Sequence, residues 1–88
     1  MENHRFKHSD TTLVAFLLSS GYSILKVEQD PDTLRINFTV DIAKDDPKLV
    51  QLIGVFYAGQ ATVEPSEFSQ NYRNLVNMTR QAKGGNNG

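Results

Sequence analysis

The clearest periodic signal in the chain runs from Leu34 to Asp41. There Leu34, Ile36, Phe38 and Val40 alternate with Arg35, Asn37, Thr39 and Asp41. An apolar residue at every second position sets one face of a strand against a core and the other toward water. Upstream, Tyr22 to Gln29 is also strand-like, with its alternation blurred by the adjacent Ile24 and Leu25. Between the two lies Asp30-Pro31-Asp32-Thr33. Proline presets φ there and the aspartates bond to nearby backbone, which makes a turn. The two segments are predicted to pair as an antiparallel hairpin.

Three other segments carry helical spacing. Leu13, Phe16, Leu17 and Ser20 fall at i, i+3, i+4 and i+7, and Val14, Ala15 and Leu18 widen the stripe. This predicts a helix over Thr11 to Ser20, capped by Ser9 or Asp10 and closed by Gly21. Asp46 as N-cap and Pro47 at the first helical position open a second helix. Its buried stripe is read as Leu49, Ile53 and Phe56 with Val50, Leu52 and Tyr57, and Gly59 ends it. Pro65 starts a third helix, with Phe68, Tyr72, Leu75, Val76 and Thr79 on one face.

Two short β-permissive pieces remain. Arg5 to His8 reads as an edge strand with Phe6 inward, and Ala61 to Val63 as a brief strand beside it. The expected order is β-α-β-β-α-(β)-α. This is an α+β fold in which an antiparallel hairpin sheet is packed by three helices. Residues 1–83 are expected to form one domain, and residues 84–88 a disordered tail of glycine and asparagine.

Composition narrows the picture. At 88 residues the chain fits one domain, and eight aromatics spread along it imply a single core drawing on both ends. There is no cysteine, which removes disulfides, thiolate-bound zinc and thiol chemistry together. A disulfide-free domain of this size is expected in the reducing cytoplasm. The N-terminus does not resemble a signal peptide, and no apolar run approaches a membrane span.

Net charge is −1, but it is unevenly placed. Glu28 to Asp46 holds six acids against Arg35 and Lys44, whereas Phe68 onward holds Arg73, Arg80 and Lys83 with no acid.

The chemistry-bearing residues do not assemble a catalytic site. His4 and His8 have a spacing that suits a metal on a helix but not on a strand. The consecutive His8-Ser9-Asp10 cannot align as nucleophile, base and orienter. Asp30, Asp32, Asp45 and Asp46 lack the spacing of a calcium loop, and no phosphate-cradling glycine motif occurs. The expectation is a protein that is not an enzyme, with no cofactor and no metal.

Two features point outward instead. The second helix carries only Gln51 as a strongly polar residue from Leu49 to Ala58, so Leu49, Leu52, Val55 and Phe56 are candidates for contact with a partner. The third helix is basic and amide-rich. Arg73, Arg80 and Lys83 are candidates for nucleic-acid contact, with Arg5 and Lys7 joining them if the first strand lies alongside.

Phe6-Lys7-x-x-Asp10, the apolar helix Leu13–Leu18, Gly21-Tyr22 and the hairpin strand Leu34–Val40 together resemble a small prokaryotic and phage family, domain of unknown function 5659. Pro47-x-Leu49-Val50, Phe56-Tyr57-Ala58-Gly59 and Val63-x-Pro65 extend the resemblance over about residues 5–80. The acidic connection Asp41–Asp46 is longer than the family pattern. The resemblance implies a bacterial, phage or mobile-element protein and supplies no catalytic or ligand residues.

The leading expectation is a non-catalytic accessory module acting through protein contacts, with a second copy of itself among the candidate partners and no membrane association. The alternative is a small nucleic-acid-binding regulator using the basic C-terminal helix.

Overall fold

The strand with the cleanest alternation occupies the middle of the sheet. In the computed structural model, which describes residues 4–43 and 45–84, β3 (Ile36–Ile42) lies between two antiparallel neighbours. β2 (Ser23–Gln29) pairs with it through the predicted hairpin, and β1 (His4–His8) pairs on its other side, giving the order β1-β3-β2. Phe6 stands opposite Val40, and Val27 opposite Phe38. A central strand has both edges paired and one face packed. Phe38 and Val40 are accordingly removed from solvent altogether.

The inward residues of the sheet meet two helices. α1 (Thr11–Ser19) is capped by Asp10, whose carboxylate accepts from the N–H groups of Thr12 and Leu13. Its residues Leu13 to Leu17 are buried in unbroken succession. A helix buried on most sides must be covered from more than one direction. Val14 and Ala15 join Ile36, Phe38, Val40 and Leu75, while Leu13, Phe16 and Leu17 join Leu49. α3 (Pro65–Gly84) packs against α1 and β2, and α2 (Pro47–Tyr57) packs on α1. Gly21 and Gly59, at φ of +108° and +75°, end α1 and α2 as glycine is suited to do.

Several local expectations are corrected. β1 takes β3 as its partner rather than Ala61–Val63, which forms no strand. That segment bridges α2 and α3, and Ala61 packs against the α1–α2 cluster instead. Leu34 lies outside the strand: it sits in the turn at φ +62° and is 64% exposed. The turn is held by the Asp30 carboxylate, which accepts from the N–H groups of Asp32 (2.8 Å) and Thr33 (3.1 Å). Those bonds hold the Asp30 carboxyl below its usual range.

The blurred alternation in β2 has a cause as well. The register shifts between Ile24 and Lys26, so Leu25 is the extra residue of a bulge and both Ile24 and Val27 reach the core. On α3, Tyr72 lies outside the buried stripe at 40% exposure. Asn71 is half-buried and donates to the Ser19 hydroxyl at 3.0 Å. The helix continues through Gly84, past the expected domain boundary at residue 83. The remainder of the expected tail lies outside the described residues.

Candidate functional site

α2 is the most peripheral helix, and its two sides differ in what they meet. At its N-terminal end Asp46 accepts from the Leu49 N–H at 3.0 Å. The Tyr22 hydroxyl donates to both Asp46 oxygens at 3.1 Å. Burial pushes the Tyr22 phenol above its ordinary range, and the bond to Asp46 and that carboxylate's charge act in the same direction. Lys48 reaches the Ser20 carbonyl at 3.4 Å and lies 5.6 Å from the centre of the Tyr22 ring. The start of α2 is thereby tied to the end of α1.

Of the residues named from the sequence as partner contacts, Leu49 is buried and Leu52 and Phe56 pack against the α1 cluster. Phe56 stacks on Phe16 with ring centres 5.6 Å apart. Val55 is half-buried at the flank. These side chains form the intramolecular seam of α2.

Val50 and Tyr57, assigned from the sequence to the buried stripe, lie on the outer side instead at 72% and 60% exposure. With Gly54 between them they follow i, i+4 and i+7 spacing, which is one helical stripe. A Cβ placed on Gly54 would meet nothing within 4 Å. Packing within the chain therefore does not require glycine there, although glycine costs about 1 kcal/mol relative to alanine inside a helix. The stripe contains no charged residue. The signal for it was present in the sequence: a helix apolar all round has two stripes, and a single neighbour covers only one.

The candidate cations do not form one surface. Arg73, Arg80 and Lys83 are exposed on α3. Arg5 and Lys7 alternate on β1 with Phe6, which packs into the core beneath the helices. They therefore point from the opposite face of the sheet. His8 accepts from the Asp10 N–H at 3.0 Å through Nδ1, a role belonging to the cap of α1. Among the described residues no three His, Asp or Glu side chains converge as a metal cage, and no helix is long and apolar enough to cross a membrane.

The matched sequence covers nearly the whole fold. The chain belongs to the family described as a domain of unknown function (DUF5659), whose profile matches residues 3–81. No curated protein and no solved structure matches the chain.

Proposed function

We propose that this protein is a non-catalytic interaction module that engages protein through the outer stripe of α2, and that a second copy of the chain is one occupant of that stripe. The observation that carries the reading is the uncharged run Val50-Gly54-Tyr57, exposed on a helix whose other side is already packed. Two copies crossing antiparallel at Gly54 would set Val50 of each against Tyr57 of the other. A glycine at the crossing point lets the backbones approach closely, and a two-fold interface needs such a self-complementary patch.

Sedimentation should then show a dimer at micromolar concentration. Val50→Glu and Tyr57→Glu should each weaken it at least about tenfold, or about 1.4 kcal/mol, with the melting transition of the monomer retained. A monomer at every concentration up to millimolar would remove self-association from the reading.

A second reading rests on the exposed basic side of α3, where no acid follows Glu67. Nucleic acid held there would meet Arg73, Arg80 and Lys83 only, because Arg5 and Lys7 point from the far side of the sheet. Three phosphate contacts give a log–log salt slope of about −2.7 on duplex DNA. Absence of binding at about 50 mM salt, where counterion release favours binding more than at 200 mM, would end this reading.

A further inference from the structure

The helices all lie on one side of the sheet, and the other side carries an unexplained group. Phe38 and Val40 face α1 and α3, so Thr39 between them faces away. Yet Thr39 is only 2% exposed, and its hydroxyl oxygen is shut off from solvent with no hydrogen-bond partner among the described residues. Its cover is made of neighbouring side chains rather than another layer of structure. Lys7 stands directly across from it on β1 and Lys26 directly across on β2. Arg5, Leu25 and Lys26 line with it a recess of about 310 Å³.

A buried hydroxyl without a partner is unusual, since such groups are nearly always bonded. Here it belongs to the lining of a recess that Arg5 and Lys26 share, with Lys7 across from it on the neighbouring strand. Long ammonium and guanidinium side chains together with a hydroxyl donor are the groups that hold tetrahedral oxyanions.

We propose that this recess binds a phosphate group between Arg5 and Lys26, with Lys7 adding charge from across the strand and the Thr39 hydroxyl donating when the side chains that cover it turn onto the ligand. Two carboxylates share the sheet face. Glu28 pairs with Lys26 at 3.1 Å, and Asp41 lies across from Arg5. The Lys26–Glu28 pair is exposed, at 60% and 47% for the two side chains, and exposed pairs of this kind are weak enough to exchange for a phosphate oxygen. Of these charged groups only Arg5 and Lys26 line the recess, which makes its lining positive. Asp30, in the hairpin turn, is near enough for Lys7 to help lower its carboxyl, and lies outside the recess lining. The face bears no aromatic side chain on which a base would stack, which places recognition on the phosphate itself.

The test is an amide chemical-shift titration of the full chain with inorganic phosphate at constant ionic strength, with chloride as the balancing anion. Saturable shifts confined to Arg5–Lys7, Leu25–Lys26 and Thr39 are expected. Thr39→Val and Lys7→Gln should each reduce the affinity at least about fivefold, an effect on the scale of one lost charge-assisted hydrogen bond. Arg73→Gln, on the other side of the molecule, should leave it unchanged. Without phosphate, Thr39→Val should melt at or above the wild-type temperature, because it removes an unpaired hydroxyl at nearly constant shape.

A parallel titration with adenosine monophosphate separates free phosphate from a phosphomonoester as the source. Shifts at the recess with either ligand support the site. Shifts absent with both, centred on α3, or unaffected by Thr39→Val and Lys7→Gln would overturn it.

Discussion

Replacing Phe38 by alanine should leave the domain largely unfolded at room temperature. Phe38 is wholly buried at the middle of the central strand, with His8 and Val27 as its cross-strand neighbours. Its ring lies in the cluster where Val14 and Ala15 of α1 meet Leu75 of α3, so three elements lose packing at once. Large-to-small changes of this kind cost about 3–5 kcal/mol, combining lost transfer energy with the cavity left behind. A domain this small has a total stability of about 5 kcal/mol or slightly more. Urea denaturation followed by far-UV circular dichroism provides the measurement. A cooperative transition with a midpoint near wild type would show that β3 does not hold the centre of the core.

That Phe38 faces inward was readable from period-two alternation, because a strand's faces follow directly from its sequence. Caps and turns were readable for the same reason. Asp10, Asp46 and Asp30 act on backbone N–H groups two or three residues away, so their chemistry is local.

What could not be read locally was the partner of each element. Nothing within Arg5–His8 or Ala61–Val63 specifies which of them pairs with β3, since sheet order is decided by contacts between distant segments. The same holds for α2. Its sequence is apolar on every side, and only the position of α1 determines that Leu49 and Phe56 are covered while Val50 and Tyr57 are left out.

The division of the cations, in contrast, was implicit in the sequence. Once Phe6 is turned into the core, Arg5 and Lys7 must leave the sheet on the side away from the helices. The bulge at Leu25 hid a similar inference on β2, because the extra residue displaces the alternation by one position.

Leu75→Ala should destabilise the whole domain, and not merely detach its last helix. α3 spans 20 residues and is predominantly polar, so propensity alone would leave it marginal as an isolated helix. Leu75 is its one fully buried apolar residue among those described, and it touches the cluster that contains Phe38 and Val40. Phe68 and Ala82 are partly buried against the same cluster, so they support the anchor without replacing it. Removing the side chain opens a cavity between helix and sheet at a cost of about 2–5 kcal/mol. For a domain of this size that lowers the melting temperature by roughly 10 °C or more.

Tyr72→Ala, three residues earlier and 40% exposed, provides the control and should cost far less. Two probes distinguish global loss from detachment. Helical signal in the far-UV and aromatic signal in the near-UV should fall together in a single transition if α3 is part of the cooperative core. An early, partial loss of helical signal with the aromatic environment of Phe38 intact would mean that α3 is only docked onto a self-sufficient sheet and α1. An unchanged melting temperature would mean that Leu75 is not in the core at all. The cluster it shares with both α1 and β3 makes the single transition the expected result.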